Sequence, residues 1–333
     1  MTRLSRTSVL GLRRSVPMIA LALVFAACAG RTAPPRGLAA PPSSIDIQQL
    51  WIDPIDLESR DLFNGPGGAQ LAPNPSARYE FLAVDNVGFS PGYTVRDDQG
   101  TEWNVKLGIE AQPEVVASRL LWALGYHQPA TYLVTAWELT GKQSGAQGIS
   151  RFRRESPNQK VTSEWSWYEN PFEGTQPFKG LVVANLILNN WDWKTSNNKV
   201  YASADGRPHP QFYVVRDLGA SLGKTSFPQF LKWTPLRMGK QGSRNHLDDF
   251  EAQGFIKDID GDRITFDYKG INTRLVETVT VQDVVWTCRL MARLSDKQWD
   301  DAFRAAAYET AERQRFIAKL KSKVNQGLAL ARS

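Results

Sequence analysis

The sequence predicts an α+β fold in two parts: a small antiparallel sheet with one helix, then a mostly helical half. Three observations predict it. Residues 79–107 alternate apolar and polar side chains and break at turn residues, as half-buried strands do. Residues 113–125 carry apolar side chains at helical spacing between a Pro and a Gly. The last hundred residues return to helical spacing. The chain has 333 residues, 42% of them hydrophobic, enough to bury one large core or two small ones.

The start of the chain reads as a targeting segment. Arg3, Arg6, Arg13 and Arg14 precede "VPMIALALVFAAC", an apolar run too short for an ordinary membrane span and suited to a secretory signal. Those four arginines, unaccompanied by acids, account for most of the formal charge of +6. No dense basic stripe follows, so no nucleic-acid partner is expected. The run ends in "FAAC", which resembles the lipobox of bacterial lipoproteins, with Phe25 where that family usually has Leu. The resemblance implies a signal peptide over 1–27, cleavage before Cys28 and lipid such as palmitate on its thiol. The protein would then be membrane-anchored in a bacterial cell envelope, facing the periplasm or the surface. Lipidation of Cys28 leaves Cys288 without a disulfide partner, so the core alone must hold the fold. Residues 28–44, rich in Pro, Ala and Ser, form a tether. Folded sequence begins near Ile45 with an irregular arm, "LWIDPIDLESRDLFNGPGG".

Taken in order, "YEFLAVDNVGFS", "GYTVRDDQG" and "TEWNVKLGI" predict three antiparallel strands, the last two joined at Asp-Asp-Gln-Gly. "AQPEVVASRLLWALGY" predicts a helix with Pro113 at its first position, Gly125 just past its end, and Val116, Leu120 and Leu124 on one buried face. "PATYLVTAWEL" predicts one more strand, closing a lobe over 45–138. Residues 139–330 form the second part. It opens with an irregular insertion, 140–179, containing "SEWSWYENPFEGTQPF". That stretch reads as a loop pinned by aromatic packing, or as a lid over substrate. "GLVVANLILNN" predicts a buried helix, and "KVYAS" with "QFYVVRDLG" a hairpin turning at "ADGR". "DIDGD" at 258–262 reads as a hairpin turn, since its Gly comes too early for a calcium loop and no Glu closes it. Ser295 and Gln298 form a capping box before Trp299, Phe303 and Ala307; Phe316, Leu320 and Val324 make a later stripe. His127, His209 and His246 lack metal-ligand spacing, and no Gly-x-Ser-x-Gly marks a serine hydrolase.

One loop is ordered more than a solvated turn needs to be: "NNWDWKTSNNKVY", with Asp192, Lys194 and Asn197. Lys106 lies in an earlier strand, Glu114 in the helix after it, and Asp217 ends a later strand in "VVRDLG". This order resembles the protein-kinase-like superfamily, which sets a strand Lys against a helix Glu and a catalytic-loop Asp before an Asn and a metal-binding Asp turn. The segment "PEVVASRLLWALGY" resembles the atypical branches, the type II phosphatidylinositol 4-kinases and the secreted Golgi-type kinases. The resemblance covers roughly Val84 to Leu222.

The resemblance implies a two-lobed fold that binds ATP and Mg²⁺. Lys106 would hold the α/β-phosphates, oriented by Glu114, with Glu110 as a rival partner. Gly88 and Gly92 would let the backbone approach the phosphates, and Trp137 is counted with the nucleotide-binding residues. Asn197 and Asp217 would ligate the metal through hard oxygens. Asp192 would accept the proton of the incoming hydroxyl, and Lys194 would neutralise the moving phosphoryl group. The acceptor implied is a hydroxyl on an extracytoplasmic protein, lipid or glycan. Departures accompany the match. Asn190 and Trp191 stand before Asp192 instead of His-Arg, Leu218 replaces Phe, Arg216 precedes Asp217, and the glycine pattern is incomplete around Pro91. Two further readings are therefore carried: a pseudokinase serving as an envelope interaction module, and a scaffold using Trp165 and Trp167 as partner surface.

Overall fold

The alternation over 78–107 becomes β1 (Arg78–Asp85), β2 (Gly92–Arg96) and β3 (Glu102–Leu107), an antiparallel meander. The β2–β3 turn is closed by Asp97, whose Oδ1 accepts from the amides of Gln99 and Thr101, while Gly100 takes φ 82°. The computed structural model describes residues 46–85, 90–156, 158–203, 211–226 and 242–332. The signal segment, Cys28, the tether, Gly88 and the "ADGR" turn lie outside the described residues.

Helix α1 (Ala111–Ala123) follows β3. Pro113 is its third residue, not its first; the opening amides have no acceptor within the helix, so Pro is tolerated there as well. At the other end Gly125 takes φ 97° and donates to Trp122 O, and Tyr126 donates to Leu121 O, which caps the last carbonyls. The single buried stripe expected of α1 is a correction: Val115, Ala117, Ser118, Arg119 and Leu121 are buried too. The sheet covers one side, the second lobe another, and the N-terminal arm a third, with Leu50, Leu57 and Leu62 buried in the same core.

The strand expected at 129–139 breaks into β4 (Thr131–Val134) and β5 (Trp137–Thr140). The insertion expected to be irregular carries β6 (Gly145–Gln147), β7 (Ser150–Arg154) and β8 (Gln159–Glu164). β7 lies between β3 and β4, antiparallel to both, and β5 crosses to pair parallel with β1. The result is a seven-stranded sheet in the order β4-β7-β3-β2-β1-β5-β6. Tyr79, Val95, Trp103, Val105, Trp137 and Phe152 fill its core.

The second lobe is built on α2 (Gln176–Ile187), whose N-terminus is capped by Thr175. β9 (Asn198–Ser203) and β10 (Gln211–Val215) join β8 in a three-stranded sheet. Then come α3 (Leu247–Ala252), the β11 (Ile256–Asp260) and β12 (Arg263–Phe266) hairpin, and α4 (Thr273–Val276). Helices α5 (Val281–Ala292), α6 (Asp296–Arg304) and α7 (Thr310–Ala329) finish the lobe. The Ser295–Gln298 box caps α6, though Ala307 falls beyond that helix and is exposed. Phe316, Leu320 and Val324 are buried. Within the tryptophan-rich loop, Trp165 donates to Val214 O and Trp167 stacks on Trp193 at 5.2 Å. Both rings are buried, so they pin the loop and are no partner surface. Among the described residues, no helix is long and apolar enough to cross a membrane.

Candidate active site

Lys106 leaves β3 one residue before its end, opposite Gly92 of β2 and Arg151 of β7. Its Nζ lies 3.0 Å from Glu114 Oε2 and 3.5 Å from Glu110 Oε2, and it is ion-paired with Asp217. The rival partner and the preferred one are thus both engaged. Glu110 is the N-cap residue of α1 and also pairs with Arg244.

Glu114 is the fixed point of this wall. Arg151 Nε sits 2.9 Å from its Oε1 and Arg153 Nη1 3.7 Å. Burial alone would push its carboxyl up, but Arg151, Lys106 and Arg153 hold it down at about 2. Arg153 is lowered as well, to about 9, but by burial and by the neighbouring Arg216 and Arg151, which disfavour its charge. Asn104 Oδ1 accepts from both Arg151 and Arg153, at 2.9 and 2.7 Å.

Asp217 comes from the second lobe, at the end of β10. It stands in the left-handed region, φ 56° and ψ 49°, where a non-glycine residue carries backbone strain and where functional residues concentrate. Two residues on, a Cβ on Gly219 would sit 2.5 Å from Glu110 Cβ and 3.0 Å from its carbonyl oxygen. Glycine there lets the Asp217 turn press against the start of α1.

The loop after α2 holds Asp192, Lys194 and Asn197. Asn197 donates to Asp192 O at 2.7 Å, and Arg216 N donates to Asn197 O at 2.9 Å, tying this loop to the strand that carries Asp217. Lys194 Nζ pairs with Asp192 at 2.8 Å. The support expected to be missing is supplied by other residues. Asn190 accepts from the Asp192 amide and donates to Asn185, and Trp193 Nε1 donates to Asn190 O. Asn189, at φ 52°, takes a hydrogen bond of 2.7 Å from the buried ammonium of Lys323, which also donates to Ile187 O. Trp191 lies under the Arg244 guanidinium, 4.8 Å from ring centre to Cζ.

These elements enclose a cleft of about 670 Å³. Lys106, Asp192, Lys194, Asn197 and Asp217 line it, and Glu114 stands behind Lys106. Two sequence candidates do not line it. Trp137 is a core residue: its ring packs on Tyr79 and Phe152, and its Nε1 donates to Ser150. Gly92 sits beside Lys106, but its need for no side chain comes from Val105 O, which a Cβ would meet at 2.6 Å. Sequence reasoning missed Arg151, Arg153, Arg244 and Lys323. The "SRFRR" stretch did carry a signal, since alternate arginines on a strand share a face.

Metal chemistry fits the oxygen donors present. The Asp217 carboxylate and the Asn197 carbonyl oxygen are hard ligands on one cleft, and Asn197 spends its amide donor on the loop backbone. No group of three or more His, Cys, Asp or Glu able to hold a metal occurs among the described residues. Two hard ligands would leave the rest of a hard cation's shell to water and phosphate oxygens, as at Mg²⁺ sites.

No family model matches the chain, and no curated protein matches it. Among solved structures, the chain is similar to the crystal structure of a Helicobacter pylori proinflammatory kinase, CtkA. The identity is 13% and the TM-score 0.45, over 78% of this chain and 99% of that one. The fold is two-lobed and kinase-like. Its element order and the meeting of Lys106, Glu114 and Asp217 carry that description.

Proposed function

We propose that the protein is an ATP- and Mg²⁺-dependent phosphotransferase acting on a hydroxyl of an extracytoplasmic protein, lipid or glycan. The observation that supports it most is the convergence of Lys106 and Glu114 from one lobe with Asp217, Asn197 and Asp192 from the other at one cleft. Lys106 would bind the α/β-phosphates while Glu114 keeps its ammonium in place, and Asp217 and Asn197 would hold the metal. Mg²⁺, when bound, offsets charge on the phosphates. Asp192 takes the proton of the acceptor hydroxyl as its oxygen bonds to the γ-phosphorus and the bond to the leaving diphosphate breaks. Lys194, largely in solvent and paired with Asp192, would reach the transferred group by leaving that carboxylate. The signal-like start and "FAAC" support attachment to an envelope membrane through lipidated Cys28.

A second reading keeps the fold and drops the transfer. The described cleft walls offer a purine only Val161 and Trp191 as apolar surface, which favours a pseudokinase serving as an interaction module. Transfer of labelled γ-phosphate from ATP to envelope fractions separates the two. The phosphotransferase loses that transfer by about a hundredfold or more in Asp192→Ala while still binding ATP. A protein without transfer in the wild type is a binding module.

A further inference from the structure

A second cavity lies between the N-terminal arm, α1 and β4, and shares no lining residue with the cleft. Its volume is about 240 Å³, and Pro73, Pro75, Tyr132, Leu133 and Val134 give it apolar walls. Arg119 of α1 is the one charged side chain among its described lining residues. That arginine is 0% exposed, and its Nε, Nη1 and Nη2 have no hydrogen-bond partner among the described residues.

The packing around Arg119 supplies no counter-charge. Its Cζ lies over the Tyr132 ring, 5.5 Å from the centre, and Tyr132 donates its hydroxyl to Gly68 O. Gly65 closes another side, where a Cβ would collide with Nη1 and Cζ. Asp61 is the acid whose charge reaches Arg119, but that carboxylate already accepts from the Phe63 and Asn64 amides and from the Asn64 side chain. Burial lowers the guanidinium to about 10, which leaves it charged at neutral pH. A buried charge with neither partner nor hydration is costly. Water answers it poorly, because water brings no charge and the apolar walls beyond the arginine give it little to bond. No carboxylate lines the cavity to repel an anion. One cation matches one negative charge, and a carboxylate fits the guanidinium fork. A cavity of about 150 Å³ takes benzene, so this one has room for a carboxylate with a ring or a short alkyl chain.

We propose that this cavity binds a small apolar monocarboxylate, its carboxylate on Arg119 and its hydrocarbon body against Pro73, Leu133 and Val134. Bound there, the ligand ties α1 to the arm and to β4. Its binding is read without nucleotide and so stands apart from phosphate transfer.

Thermal unfolding of the protein tests it, with sodium hexanoate titrated beside hexanamide at constant ionic strength. The expected result is a saturable rise of about 2–5 °C with hexanoate and none with hexanamide. Arg119→Met keeps an unbranched side chain and removes the charge. It abolishes the hexanoate rise without lowering the midpoint of the unliganded protein, because the charge has no partner to lose. Equal responses to hexanoate and hexanamide, or an undiminished response in Arg119→Met, overturn the site and leave water against the arginine. Should Arg119→Met fail to fold, a crystal of the wild type grown with 4-bromobenzoate decides: an anomalous peak beside Pro73 and Leu133 supports the site, and none overturns it.

Discussion

Replacing Glu114 by Gln removes the one carboxylate that neutralises Lys106, Arg151 and Arg153 at once, from 3.0, 2.9 and 3.7 Å. The site is buried, so solvent does little to screen the loss. Two routes give the same order of magnitude. A carboxyl moved from 4.5 in the unfolded chain to about 2 in the fold contributes about 3 kcal/mol at neutral pH. Breaking a buried ion network by removing one partner costs about 3–5 kcal/mol. Urea unfolding at pH 7 should therefore show Glu114→Gln less stable by about 3 kcal/mol or more. The pH dependence has a fixed sign. Because the folded carboxyl is depressed, its contribution is complete above 4.5 and is lost as pH falls toward 2. Glu114→Gln should have a shallower loss of stability across that window. A variant within about 0.5 kcal/mol of wild type at pH 7, with an unchanged acid slope, would refute the reasoning.

Other perturbations read other parts of the account. Gly219→Ala places a Cβ against Glu110, 2.5 Å from its Cβ; it should destabilise by about 1–3 kcal/mol and weaken ATP binding, measured by urea unfolding and calorimetry. Cys288 is buried and its thiol is pushed up to about 12 by that burial. It should resist a thiol reagent in the native protein and react stoichiometrically after denaturation.

The β2–β3 hairpin, α1, α2, the α6 capping box and the Asp258–Asp262 turn were legible because each is set by local chemistry: turn residues, caps or spacing. β7 was not. It carries Arg151 and Arg153, buried charges that read as polar loop until Glu114 and Asn104, distant in sequence, are placed opposite them. The break between β4 and β5 was hidden for a related reason, since the two halves serve opposite ends of one sheet and only tertiary pairing separates them. The order from Lys106 to Asp217 was read through the kinase-like resemblance, and Lys106, Glu114 and Asp217 do meet in the fold. Trp137 could not be placed that way, because a tryptophan at the end of a lobe suits a core and a ligand equally well. Asn190 and Lys323 replace the loop support that the sequence lacked; Asn190 works through near neighbours, but the Lys323–Asn189 bond spans more than a hundred residues and leaves no local mark.

The central claim is that Lys106, Glu114, Asp217, Asn197 and Asp192 form one nucleotide–metal site. Calorimetric titration of the protein with ATP, with and without Mg²⁺, tests it most directly. The account predicts saturable 1:1 binding that needs Mg²⁺, vanishes in Asp217→Ala and persists in Asp192→Ala. Absence of binding in the wild type, or binding that Asp217→Ala leaves intact, would contradict it.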